Sequence, residues 1–287
     1  MKYPALYEAI EQASSSAQRR FLSFRGAELA LLVLGALSAL APPDRVGNIG
    51  SVATLLLFLA ALAIRVSGVG DKAERQWYDS RAAAESLKSS SWQYAVCGEA
   101  FRSDDEHAPK RFNESLRHVL QTLPSLDIPV HKTTDLAVTD DMQALRMSER
   151  AARTKAYREL RVNDQLKWYS EKAESNRIRS KQWTAVLVAL EALAVILGLA
   201  RVTGAIGTEW LGVFASAAAA VAAWKQTKNY SSLSEAYAVT SHEVGILSIS
   251  LDSNPTEEEW AQAVHDAEAA FSREHTLWRA RKQGPRH

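Results

Sequence analysis

The chain has 287 residues, enough for one or two domains, and carries 47% hydrophobic and 23% charged residues with a formal net charge of +1. That balance gives no global basic signal for nucleic acid or for a membrane surface, and the single cysteine, Cys97, excludes an intrachain disulfide and any multi-cysteine metal site. The average conceals a pattern, because the apolar residues gather in four blocks.

Residues 1–20 are polar and amphipathic, with no continuous apolar core and no small-residue cleavage site, so no cleavable signal peptide is expected. Block one runs from about Phe21 to Ala41 and ends at "APPDR"; block two runs from Ile49 to Val66 and ends at "SGVG". Asp71, with Glu74 three residues on, predicts a helix cap, and the helix behind it extends to about residue 100. Residues 101–138 contain Pro109, Pro124 and Pro129 and predict short helical pieces and loops. Thr139-Asp140-Asp141 predicts the cap of a long helix over 139–181 that continues directly into block three, a rod of roughly 60 residues and about 90 Å. Block three spans Trp183–Val202 and block four Ile206–Trp224. Cytoplasmic helices fill 225–283, the last of them amphipathic and started by Asn254-Pro255-Thr256.

A bilayer core is crossed by about 20 apolar residues in helical form. Each pair of blocks is joined by a short connector, "PPDRVGN" or "TGA". The expected fold is therefore an all-α membrane protein of two transmembrane hairpins, four spans, with long cytoplasmic helices. Small residues at Gly35, Ser38, Gly198 and Ser216 permit close helix approach in lipid. Arg19, Arg20, Arg65, Lys72, Arg75, Arg177, Arg179, Lys181, Lys225 and Lys228 flank the outer limits of the hairpins, whereas the connectors hold only Arg45 and Arg201. The lysine and arginine bias places both termini and the middle region in the cytoplasm and the connectors outside.

"ELALLVLG" (28–35) aligns with "EALAVILG" (191–198), glutamate on glutamate and glycine on glycine. The shared order of elements extends the match to an internal duplication, with a first unit over 1–100, a connector over 101–138 and a second unit over 139–287. Two carboxylates, Glu28 and Glu191, thus stand deep in apolar blocks. Arg25 lies three residues before Glu28, on the same helix face, and is its expected partner. Glu191 has no such neighbour, and an isolated mid-bilayer charge costs on the order of 2.5–3.5 kcal/mol, so it is expected to face protein or water. Two roles stay open for it: neutral and hydrogen-bonded between helices, or one member of a carboxylate ring around a water-filled axis. Glu209 sits near the outer end of block four and is the lesser case.

Glycine-rich phosphate loops, HExxH and CxxC are all missing from the sequence, so no cofactor, metal or enzymatic chemistry is expected. His242-Glu243 and Glu274-His275 read as contacts on polar helices. Arg146, Arg150, Arg153, Arg158 and Arg161 admit a phosphate-binding patch, but the interleaved Glu149 and Glu159 favour a solvated, salt-bridged helix face. Trp168-Tyr169 reads as packing or an interfacial anchor.

"YPALYEAIEQASSSAQRRFL", "RAAAESLKSSSWQYAV", "YRELRVNDQLKWYSEKAESNRIRSKQW", "SEAYAVTSHEVGIL" and "AFSREHTLWRAR" resemble, in that order, segments of the SLATT family, the SMODS- and SLOG-associating two-transmembrane effector domains. Together they cover nearly the whole chain as two tandem units. The resemblance implies a multi-pass protein of the bacterial inner membrane that acts as a homo-oligomer and forms an ion-conducting pore or perturbs the membrane in phage defence. It implies a nucleotide-signal or defence sensor protein as a partner, with no nucleic acid bound. On that reading Glu191, Glu28 and Arg25 are the pore-lining or intramembrane polar residues. The alternative is a non-conducting scaffold or sensor whose cytoplasmic helices dock a partner.

Overall fold

The computed structural model describes residues 1–41, 48–122, 137–206, 210–251 and 256–283, with side chains given except at 122, 250 and 273–283. Among the described residues every regular element is helical: α1 (Ala5–Ser38), α2 (Ile49–Val66), α3 (Val69–Ala95), a 3-10 turn (Glu99–Phe101), α4 (Ala108–Thr122), α5 (Asp140–Arg146), α6 (Arg150–Tyr157), a π turn (Arg158–Val162), α7 (Asn163–Val202), α8 (Trp210–Lys228), α9 (Tyr230–Ser250) and α10 (Glu257–Gln283). They form two compact units. One, here the polar unit, gathers Met1–Ala17, Arg75–Ala173 and Glu235–His287; the other, the apolar unit, gathers Gln18–Glu74 and Glu174–Ser234. Each unit draws segments from both halves of the chain.

In the polar unit, one core joins Leu6 and Ile10 of α1, Ala84 and Leu87 of α3, Phe112 and Leu116 of α4, and Met142 of α5. The 3,4-spaced apolar positions of α4 turn inward here, and its charged residues remain exposed. A second core joins Trp92 of α3 and Val96 just beyond its end to Tyr157, Val162, Tyr169, Val244, Trp260 and Phe271. Trp260 of α10 donates from Nε1 to the Val96 carbonyl at 2.7 Å, so its indole N–H is satisfied in the interior.

The long helix expected from residue 139 is interrupted. Thr139 does cap α5, its hydroxyl accepting the Met142 N–H, but α5 ends at Arg146. The Ser148 hydroxyl turns back onto the Leu145 carbonyl, and Glu149 takes an extended conformation that starts α6. Arg146 explains the stop: its guanidinium donates to the carbonyls of Tyr94, Phe101 and Arg102, tying the helix end to the α3 terminus. From Arg150 to Val202 the chain is helical throughout, 53 residues, with the π turn inside it. One further correction concerns a cap. Helix α3 begins at Val69, after Gly68 at φ +63°, so Asp71 lies in its first turn rather than capping it. Helix α10 is started by Thr256, which exchanges hydrogen bonds with Glu259 as a capping box. The connector 42–47, Glu209 and the Asn254-Pro255 start lie outside the described residues.

In the apolar unit, α1 and α2 meet closely. A Cβ on Gly35 would lie 3.3 Å from the Phe58 ring, and one on Gly50 would lie 2.7 Å from the Ala41 Cβ. Ser38 and Thr54 share a hydroxyl hydrogen bond of 2.9 Å across the same contact. Gly198 faces Leu211 less tightly, at 3.8 Å, and Ser216 is half-buried on α8. Outward faces are strongly apolar: Leu55, Leu56 and Leu62 on α2 and Val195, Ile196 and Leu199 on α7 are each more than half exposed. Contiguous apolar surface of this kind belongs in lipid or against another chain. Three helices are long and apolar enough to cross a membrane: α1, α2 and the run that ends at Val202. Helix α8 is not among them: its 19 residues end in the polar stretch Lys225–Lys228.

Candidate functional site

The apolar unit holds a carboxylate clamped by two guanidiniums. Glu28, largely buried on α1, accepts from Arg25 Nη1 at 2.8 Å through Oε2 and from Arg65 Nε at 3.0 Å through Oε1. Arg25 comes from one turn earlier on α1, whereas Arg65 comes from the last turn of α2. Arg25 also donates from Nε to Thr227 Oγ1 of α8 at 3.4 Å. The set therefore joins three helices. Its net charge of +1, two arginines against one carboxylate, is neutralised only in part. Sequence spacing revealed the Arg25–Glu28 pair; Arg65 was legible only as a topology-setting charge, since nothing local links residues 37 apart.

Glu191 is placed differently. It is exposed, and among the described residues it makes no hydrogen bond or ion pair. Val188, Val195 and Leu199, at helical spacing along the same stripe of α7, are 56%, 63% and 62% exposed. The structure thus does not bring Glu191 to Arg25 and Glu28. Among the described residues of one chain the carboxylate has no protein group to satisfy it.

A second polar cluster occupies the core of the polar unit. Arg161, in the π turn, makes a two-pronged pair with Glu268 of α10: Nε to Oε1 at 2.9 Å and Nη2 to Oε2 at 2.7 Å, both side chains being at most 1% exposed. Tyr157 donates to the same Oε1 at 3.0 Å. Burial alone would lower the Arg161 pKa; the Glu268 carboxylate outweighs it, and the guanidinium stays charged. Burial, and then the negative Glu268, push the Tyr157 phenol well above its usual range. Arg153 donates to Cys97 Sγ at 2.9 Å and to both carboxylate oxygens of Glu257. Burial pushes the Cys97 thiol up against the pull of Arg146 and Arg153, so it is a poor nucleophile. Three of the five arginines in the series therefore form neither a phosphate patch nor a solvated face. Arg146, Arg153 and Arg161 point inward and are committed to carbonyls, Glu257 and Glu268. The carboxylates that hold them lie about a hundred residues downstream, out of reach of any local sequence pattern. Trp168 packs edge-on against Tyr169 and Tyr237. No group of His, Cys, Asp and Glu among the described residues is arranged to hold a metal.

Helices long and apolar enough to cross a membrane, with a charge cluster among them, point to the class of helical membrane proteins. Residues 4–154 match the model of SMODS and SLOG-associating 2TM effector domain 3, and residues 157–278 match that of SMODS and SLOG-associating 2TM effector domain 1. The chain belongs to the SLATT family, as two such domains in tandem, and is a membrane effector of the kind associated with defence systems. Neither a curated protein nor a solved structure matches it.

Proposed function

We propose that the chain assembles with copies of itself in the bacterial inner membrane and forms an ion-conducting pore, with Glu191 turned toward the water path. The observation that carries this reading is the exposed, unpartnered Glu191 on an otherwise apolar stripe. A carboxylate facing hydrocarbon is costly, so this stripe calls for water or a neighbouring copy. A ring of such carboxylates favours cations. Glu28, held by Arg25 and Arg65, belongs to the packing of each subunit in this scheme. No catalytic chemistry is assigned.

The reading includes four crossings, although α8 is the least apolar of the four helices. Parity supports this. The polar unit includes Met1–Ala17, Arg75–Ala173 and Glu235–His287. A compact water-exposed body lies on one side of a bilayer, so the chain crosses an even number of times between Ala17 and Arg75, and again between Ala173 and Glu235. If α7 spans, α8 returns.

The test is ion flux through liposomes containing the purified protein, with native mass spectrometry for subunit number. Glu191→Gln is expected to lower cation preference, and Glu191→Lys to reverse it. Conduction with selectivity unchanged by Glu191→Gln removes Glu191 from the water path. A protein that is only monomeric removes the pore, leaving the scaffold.

A further inference from the structure

At the lysine- and arginine-rich end of the α7–α8 hairpin, cations gather without carboxylates to neutralise them. Lys225 donates from Nζ to Thr184 Oγ1 at 2.8 Å. Lys228, one turn further along the same face of α8, lies over the Trp224 ring with Nζ 5.4 Å from its centroid. Lys228 also feels the positive charge of Arg179 on α7. Glu174, the nearest acid on α7, is already bound through both oxygens by Arg177 at 2.7 Å. Among the described residues, Arg179, Lys225 and Lys228 form no ion pair. Partial burial of Lys228, and then the like charge of Arg179, penalise its ammonium and lower its pKa. An anion would relieve both.

We propose that Arg179, Lys225 and Lys228 bind the headgroup phosphate of an anionic phospholipid. Free phosphate does not explain the surroundings. Just beyond the cations along α7, on the same helix face as Arg179, Val186 is 45% exposed, an apolar surface suited to acyl chains. Trp224 marks the boundary between the two regions, where indole rings settle at membrane interfaces. Basic pockets between membrane helices on the cytoplasmic side are the usual seats of anionic headgroups. The site rests on membrane insertion of the α7–α8 hairpin and is independent of conduction or subunit number.

The experiment is native mass spectrometry of the full chain in detergent with added phosphatidylglycerol or phosphatidylcholine. The wild-type protein is expected to retain phosphatidylglycerol in preference to phosphatidylcholine. The double variant Arg179→Gln/Lys228→Gln is expected to retain it roughly tenfold to thirtyfold less well, by the loss of two cations near the headgroup. Lys72→Gln/Arg75→Gln, which removes the same charge from exposed positions at the start of α3, is expected to bind as the wild type does. Circular dichroism checks that each variant keeps its helix content. Equal retention of the two lipids by the wild type overturns the proposal without reference to any variant. So does an equal loss in the two double variants, which would make the effect one of net charge. Displacement of phosphatidylglycerol by millimolar inorganic phosphate or a nucleotide would assign the cations to a soluble anion instead.

Discussion

Arg161 and Glu268 show how much one pair of residues can hold in this chain. Removing one partner from a buried ion pair leaves a desolvated charge and costs about 3–5 kcal/mol, whereas replacing both by apolar residues is often near neutral. Glu268→Gln is therefore expected to lower the unfolding midpoint sharply, and Arg161→Met/Glu268→Leu to recover most of the loss, in thermal melts followed by circular dichroism. A double variant as unstable as the sum of the singles would show that the pair is not a coupled unit. The tyrosines make a second prediction. Burial raises the pKa of Tyr3, Tyr7, Tyr94 and Tyr157 in the polar unit. In the unfolded chain these phenols ionise at about 10, while the folded chain keeps their protons. The unfolded state then binds fewer protons, so stability is full below about pH 10 and falls as pH rises through the raised folded values. Tyr157→Phe is expected to blunt that alkaline loss in melts across pH 9–11. At this scale the sequence disclosed a pair three residues apart, Arg25 with Glu28, because helix geometry places them together. It could not disclose Arg161 with Glu268 or Arg65 with Glu28, whose partners are set by tertiary packing alone.

Among the elements, the small residues separate by what faces them. Gly50→Ala would place a Cβ 2.7 Å from the Ala41 Cβ, where neither backbone has room to yield. It is expected to destabilise the α1–α2 contact by about 1–3 kcal/mol, the usual cost of overpacking. Gly198→Ala meets only the Leu211 side chain at 3.8 Å and is expected to be tolerated. Detergent melts of the two variants give the comparison, and equal midpoints would refute it. The apolar blocks were legible because membrane-length hydropathy is a strong signal. Sequence also gave Gly35 and Ser38 as small, but not Phe58 and Thr54 as the residues they accommodate. The stop between α5 and α6 was hidden for a different reason. Residues 147–149 lack Pro and Gly, and the helix ends because Arg146 is drawn to carbonyls contributed by α3 and the 3-10 turn. Likewise Thr256 caps α10, with Glu259 completing the reciprocal pair.

For the molecule as a whole, each family segment divides between the two compact units. Residues 4–154 supply α1, α2 and the helices up to α6, and residues 157–278 supply α7, α8 and the helices that follow. Apolar segments sort with apolar ones and polar with polar, whatever their order along the chain, the divisions falling inside α1, α3, α7 and α9. That sorting makes topology a test of the fold. Single cysteines at Asp44 and Lys72 examine the first hairpin, and cysteines at Thr203 and Gln226 examine the second, in a Cys97→Ser background. Thr203 and Gln226 are exposed at opposite ends of the α7–α8 pair. If α8 returns through the bilayer, a membrane-impermeant maleimide applied to whole spheroplasts labels Asp44→Cys and Thr203→Cys. Lys72→Cys and Gln226→Cys then react only after the membrane is opened. If α8 stays outside, Gln226→Cys reacts from the same side as Thr203→Cys. Arg161 and Glu268 could then not meet, because α10 would lie across the membrane from α6 and the π turn. Labelling of Gln226→Cys from outside would thus overturn the four crossings and the polar unit together, and protection of Gln226→Cys supports both.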